Sequence, residues 1–245
     1  MKVRIDQLLV ARGLFDTRAR ARAAIEAGRV RVGGRAVAKP SEQVAEDADI
    51  EAEAAHRFVG RGALKLDHAL TLWPVVVEGR VVLDVGASTG GFTEVCLERG
   101  ARRVFAVDVG SGQLHPRLAA DARVTSLERT DARDLTPDLI PEPPQLIVCD
   151  ASFIGLAKVL PAALSLAPPG ADMVTLVKPQ FEAEGPEGVG KGGLVKDADQ
   201  REAALARVAD WLAGSGWTAQ ASAESPITGG DGNVEFLLWA RRGGQ

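Results

Sequence analysis

The sequence predicts an α/β fold: a mostly parallel sheet with helices on both faces, preceded by a small α+β domain. Three observations predict it. Short apolar runs (VVLDVG, VFAVDV, LIVCDA, MVTLVKP) alternate with helical stretches, and strands separated by helices cross over and pair in parallel. Those runs are apolar almost throughout, as strands covered on both faces are. The charge is split: residues 1–40 carry ten Lys/Arg and three Asp/Glu, a net +7, and the remainder carries 19 and 30, a net −11. A basic head therefore precedes an acidic body.

The elements follow in order. Residues 5–12 (IDQLLVAR) have helical apolar spacing and stop at Gly13. Asp16 and Thr17 are helix-start residues before RARARAAIEA, which stops at Gly28. VRVGGRAV reads as strand, Gly-Gly turn, strand. The domain boundaries expected are 1–54 for the head, 55–62 for a connector containing Gly60 and Gly62, and 63–245 for the body. Helices are expected at 91–99, 155–167 and 199–213. The last two strands, roughly 217–224 and 234–240, are joined by a turn alone, so one of them should run antiparallel.

Composition excludes several classes. At 46% hydrophobic and 25% charged the chain is of ordinary globular type. Cys96 and Cys149 lie in apolar runs and read as buried thiols rather than a disulfide framework. Two cysteines and three histidines at unrelated spacings predict no metal site. The N-terminus, MKVRIDQLL, lacks the apolar stretch of a signal peptide, and no run nears the roughly 20 apolar residues of a membrane span. A cytoplasmic location and no membrane partner are expected.

In the head, Arg18 and Arg22 share a helix face, Arg20 lies between them, and Arg29, Arg31 and Arg35 lie on or beside the hairpin; Arg4 precedes the first helix. Guanidinium groups clustered on so small a scaffold suit phosphate oxygens. RIDQLLVARGL and TRARARAAIEAGRVRVGGRAV together resemble the small RNA-binding domain of a small-subunit ribosomal protein and of many pseudouridine synthases. That resemblance implies binding of structured RNA through shape and phosphates.

The body opens with strand, glycine turn, helix: VVLDVGASTGGFTEVCLERG. A dinucleotide fingerprint would need glycine where Ser88 stands. Gly86-Ala-Ser88-Thr-Gly90 matches a nucleophile elbow, but His115 is the only later histidine and leaves Asp108 as an implausibly close triad acid. The third reading is a loop for S-adenosylmethionine. Gly86, Gly90 and Gly91 let backbone approach a ligand, with Ala87, Ser88 and Phe92 in the same turn. Asp84 is placed for the donor's charged portion, Asp108 for its ribose hydroxyls and Asp131 for its adenine amino group. Each acid alone is as readily a helix N-cap; three in order at strand ends point to the ligand edge of an open sheet.

Asp150 ends LIVCDASFIG, Lys178 ends MVTLVKPQF, and Glu235 opens NVEFLLWA; Lys65 lies in RGALKL. Each interrupts an apolar run, and a lysine between two carboxylates at a cofactor edge is a functional candidate. The expectation is that Lys178 sits between Asp150 and Glu235, with Lys65 folded back over them and Asp150 also facing the donor. With RGALKL, LDVGASTGGFT, VDVGSGQLH, CDASFI, LVKPQFE, VGKGG and NVEF, nearly the whole chain resembles the TlyA (haemolysin A) family of ribosomal RNA ribose methyltransferases, whose catalytic domain is similar to the FtsJ-type 2′-O-methyltransferases. The resemblance implies a Rossmann-like methyltransferase sheet, ribosomal RNA or ribosomal subunits as partner, cytidine riboses as targets, and a catalytic Lys-Asp-Lys-Glu set falling on Lys65, Asp150, Lys178 and Glu235. Lys178 is then either an ammonium that steadies a developing alkoxide or a neutral amine that takes the proton.

Other readings remain. GPEGVGKGG, 185–193, nearly matches a phosphate-binding loop, but Gly192 replaces the required hydroxyl and no strand directly precedes it. The alternatives are a glycine-rich segment in which Lys191, with Lys196, meets substrate phosphates, and a solvated loop. A non-catalytic ribosome-assembly factor would keep this fold without turnover. A membrane-active protein is suggested only by the haemolysin name, and the alanines opposite the arginines of the second helix are too little apolar surface for firm insertion.

Overall fold

A computed structural model describes residues 2–182 and 193–244. The chain divides into two compact units, 1–57 and 58–245.

The first unit comprises β1 (Lys2–Arg4), α1 (Ile5–Ala11), α2 (Arg18–Glu26), β2 (Val30–Val32), β3 (Arg35–Ala36), β4 (Gln43–Ala45) and β5 (Ile50–Ala52). Thr17 caps α2, its side chain accepting from the Arg20 amide. β2 and β3 form the expected hairpin, with Gly33 and Gly34 at its turn, and β5 pairs with the other side of β2. β1 pairs antiparallel with β4. Ile5, Leu9, Ala21, Ala24, Ile25 and Val30 form its dry core. β1, β4 and β5 are each three residues long, too short for a period of two to register in sequence.

The second unit comprises α3 (Gly62–Leu72), β6 (Val81–Val85), α4 (Gly91–Glu98), β7 (Arg103–Asp108), α5 (Pro116–Ala119), β8 (Val124–Glu128), a 3-10 turn (Ala132–Asp134), β9 (Leu146–Cys149), α6 (Leu156–Val159), α7 (Pro161–Leu166), β10 (Asp172–Val177), α8 (Pro179–Glu182), α9 (Ala198–Gly214), β11 (Trp217–Glu224) and β12 (Phe236–Arg242). The helix expected over 155–167 is two helices. Pro161 has no N–H and its ring clashes with the preceding turn, so a new helix starts there. Phe58 and Val59, expected in a connector, are buried in this unit's core.

Seven strands form one sheet in the order β11-β12-β10-β9-β6-β7-β8. β12 is antiparallel to both neighbours, and the remaining pairs are parallel. Alternation along β6 divides the core: Val82 packs with α3 and α4 residues, whereas Val81, Leu83 and Val85 pack with those of α6, α7 and α9. From β6 the chain goes to β7 and β8 on one side and then to β9 on the other. That reversal leaves a crevice at the carboxyl ends of β6 and β9, where open α/β sheets bind ligands.

Candidate active site

The bend after β6 is built on backbone constraint. Gly86 has φ +80°, which favours glycine, and a Cβ there would lie 3.1 Å from the backbone of Ala151, so a side chain would be both strained and crowded by the residue following Asp150. Ser88 also has positive φ, +46°, and its amide donates to Asp108 Oδ2 at 2.8 Å. Asp108 Oδ1 accepts from the Gly110 amide at 2.7 Å.

Two adjoining cavities open at this bend. The first, about 420 Å³, is lined by Gly86, Ala87, Ser88, Gly91 and Phe92, and by Lys65, Asp150, Lys178 and Glu235. The second, about 370 Å³, shares Gly86, Ser88 and Asp150 and continues to Asp108 and Asp131. Val85, Val107, Val109, Ile154 and Val159 supply its apolar walls.

Lys65, Lys178 and Glu235 are 6%, 5% and 3% exposed. Glu235 reaches the site through the antiparallel strand: Phe236 faces Val177 in the ladder, so Glu235 follows at the level of Lys178. The ion pairs nevertheless differ from the expected arrangement. Lys178 Nζ lies 2.6 Å from Asp150 Oδ1 and donates to Ser152 Oγ at 2.7 Å. Glu235 Oε2 is 2.5 Å from Lys65 Nζ, which is 4.0 Å from Asp150 Oδ2. Asp150 therefore lies between two lysines, and the partner of Glu235 is Lys65 rather than Lys178. Helix α3 delivers Lys65 into the space between the two acids, which sequence spacing could not show. Burying these charges in compensating pairs keeps each ionised group from standing alone in a poorly hydrated pocket.

Asp84 and Gly90 line neither cavity. Asp84 shares the parity of Val82 and faces α4, wholly buried, with Thr93 Oγ1 donating to its Oδ2 at 2.6 Å. Burial pushes its carboxyl up to about 7, the neighbouring Asp150 and Asp108 adding to the effect and Thr93 opposing it. It supports the bend from behind rather than facing the crevice. Gly90 is covered by the methyls of Leu114 and Leu118. Asp131 lines the second cavity but is also engaged locally: it caps the 3-10 turn and pairs with Arg133 at 2.6 Å, which holds its carboxyl below the usual range.

Several site residues escaped the sequence reading. Ser152 stands two residues after Asp150 in CDASFI, a position that spacing alone could have flagged. Phe153, 90% exposed, lies against Phe181 with ring centroids 5.4 Å apart, and both line the first cavity. Glu128 at the end of β8 accepts from the amides of Gly112, Gln113 and Leu114, pinning the loop whose Gln113 lines the second cavity; these bonds hold its carboxyl below the usual range. Among the described residues no cluster of His, Cys, Asp and Glu could hold a metal ion, and no helix is long and apolar enough to cross a membrane. Lys191 and nearly all of the glycine-rich segment 185–193 lie outside the described residues.

In the first unit, most of the expected phosphate-binding arginines already have partners. Arg4 and Arg18 both bind the buried Asp6, whose carboxyl they pull down to about 2, the Arg4 bond contributing most. Arg20 pairs with Asp16, Arg29 with Glu53 and Arg35 with Glu42. Arg31 donates to the Gly34 carbonyl. Arg22 is exposed and has no partner among the described residues. Residues 1–57 carry 11 Lys/Arg and nine Asp/Glu, a net +2, so the whole unit is less basic than residues 1–40 alone, and Arg4 and Arg18 help to build the fold.

The model of FtsJ-like methyltransferases matches residues 58–242, and that of the S4 domain matches residues 3–50. The chain belongs to the FtsJ-like methyltransferase family. Among curated proteins it is 46% identical, over 98% of its length and 90% of the relative's, to the 16S/23S rRNA (cytidine-2′-O)-methyltransferase TlyA of Mycobacterium tuberculosis. A solved chain from Streptococcus thermophilus that carries a hemolysin name is 39% identical, with a TM-score of 0.79 over 99% of this chain and 89% of that one. An S-adenosylmethionine-dependent methyltransferase from Mesorhizobium loti, 19% identical, shares the fold at a TM-score of 0.54 over 74% of this chain and 99% of its own. In this FtsJ-like chain both cavities lie within the matched residues, at the carboxyl edge of the sheet.

Proposed function

We propose that this protein transfers a methyl group from S-adenosylmethionine to a ribose 2′-hydroxyl of ribosomal RNA, on cytidine, in the cytoplasm. The observation that carries the reading is the meeting of Lys65, Asp150, Lys178 and Glu235, drawn from four separate segments, in one cavity beside the glycine bend. The relatives named as rRNA cytidine-2′-O-methyltransferases support substrate and position of modification, and the S4 match supports RNA binding.

The second cavity fits the donor's adenosine. Its valines and isoleucine make an apolar slot for a flat ring, and the carboxylates of Asp108 and Asp131 are acceptors for hydroxyl and amino protons. When bound, the donor supplies a methyl already activated by a sulfonium centre, so the protein's work is positioning and electrostatics. Lys178, held by Asp150 and Ser152, donates to the ribose 2′ oxygen and stabilises negative charge as it develops there. Asp150 accepts the leaving proton, and Lys65 moderates its charge from the other side. Glu235 fixes Lys65. Phe153 offers an exposed aromatic face at the cavity mouth on which a base can stack.

Lys178→Ala tests the reading. With ribosomal subunits from cells lacking the protein, single-turnover methylation should fall by about 10²-fold or more, while donor binding persists. Near-wild-type turnover refutes the role of Lys178. Failure of the wild-type protein to bind S-adenosylmethionine would instead favour an RNA-binding assembly factor.

A further inference from the structure

Glu235 immediately precedes β12, and its carbonyl accepts from the Ser225 amide at 2.9 Å, so the strand side anchors its backbone, while the stretch before it is irregular. On the other side of Glu235 that stretch is tied down by Asn233, 2% exposed and two residues away. Its side chain makes three hydrogen bonds. Oδ1 accepts from the Val195 amide at 2.9 Å, and Nδ2 donates to the Gly193 carbonyl at 2.9 Å and to Asp231 Oδ2 at 2.8 Å. Its main chain closes the turn, the N–H donating to Asp231 Oδ1 at 3.0 Å and the carbonyl accepting from the Gly229 amide at 2.8 Å. Gln180, two residues beyond Lys178, donates to Asp231 Oδ2 at 3.0 Å and ties the turn to the end of β10. A Cβ on Gly229 would lie 2.6 Å from Glu235 Oε1, so the turn is pressed against the carboxylate it must place.

We propose that Asn233 is a positioning residue for the methyl transfer: by joining residues 193–195 to the 229–233 turn, its amide sets Glu235 against Lys65. This rests on the function proposed above. The residue type follows from the partners, which are one N–H donor and two oxygen acceptors. Only a primary amide presents an acceptor and two donors in one short planar group. Asp231, held below the usual carboxylate range although burial opposes this, depends on the same amide and on the Asn233 N–H.

The test uses Asn233→Ala and Asn233→Asp in the full chain, with S-adenosylmethionine and ribosomal subunits from cells lacking the protein. Asn233→Ala should slow single-turnover methylation by about 10²-fold, the cost of misplacing a reacting group by a fraction of an ångström, with donor affinity unchanged. In Asn233→Asp the new carboxylate faces Asp231, with Glu235 and its Lys65 partner nearby and Arg61 alongside Gly230. It cannot donate until one of the two acids takes a proton, which like-charge repulsion moves above the ordinary carboxylate range. The rate of Asn233→Asp, divided by that of wild type, should therefore rise as pH falls from neutral, while the ratio for Asn233→Ala stays flat. A full-rate Asn233→Ala variant overturns the proposal, as does an Asn233→Asp ratio that does not change with pH. Absence of methylation by the wild-type protein overturns the parent reading, and this one with it.

Discussion

Replacing Asp84 by Asn should stabilise the second unit at neutral pH and above, and progressively less toward acid. Asp84 is fully buried; its Oδ2 accepts from Thr93 and its Oδ1 has no hydrogen-bond partner among the described residues. Folded, it holds its proton up to about 7, against an ordinary 3.8 in the unfolded chain. Between those values the folded state binds more protons, so Asp84 lowers stability as pH rises through that window and has a constant effect above it. The separation from 3.8 to about 7 corresponds to about 4 kcal/mol in total. More than half of this falls between about pH 5 and about pH 8. Asn resembles the protonated acid: it accepts from Thr93 and puts a neutral donor in place of the unpaired oxygen. The variant's stability relative to wild type should therefore grow by about 3 kcal/mol across that interval, other titrating groups being common to both proteins. Urea unfolding followed by tryptophan fluorescence, without donor, measures this in the right unit. All four tryptophans (Trp73, Trp211, Trp217 and Trp239) lie in residues 58–245. Parallel curves for the two proteins would refute the reasoning, because they would mean that Asp84 ionises in the fold without penalty.

Glu128→Gln replaces a carboxylate that accepts three successive amides with a group that accepts fewer and brings its own N–H against them. Affinity for S-adenosylmethionine should fall several-fold in a calorimetric titration, with turnover at saturating donor unchanged; equal affinity would show that the 110–114 loop holds itself. Arg22→Ala combined with Arg31→Ala removes two guanidiniums that have no carboxylate partner among the described residues. Binding to ribosomal RNA should weaken, and the slope of log affinity against log salt should shrink by about one for each phosphate that is no longer neutralised. An unchanged slope takes both arginines out of the interface. Arg18→Ala should instead lower the melting temperature, since Arg18 is bound to the buried Asp6.

The sequence by itself determined the sheet. Apolar runs such as VVLDV and LIVC specify strands buried on both faces, and the stretches between them make parallel crossovers. It also determined the glycine bend and the polar residues that end those runs, because a charge interrupting an apolar strand is a local signal. Pro161, which divides the helix expected over 155–167, was equally visible, since its effect acts on the adjoining turn. Only the tertiary structure decided which charge meets which. Lys65 and Glu235 are 170 residues apart and meet because β12 runs back antiparallel beside β10 while α3 lies over the crevice. Asp84 turned inward because alternate residues of a strand face opposite sides, and its parity with Val82 points it at α4. Arg4 and Arg18 look in sequence like free phosphate ligands, yet Asp6, two residues from Arg4 and twelve from Arg18, is buried where the fold brings both to it. Propensity and patterning act over a few residues, so they are written locally. Pairing depends on strand order and crossover, which no short stretch of sequence contains.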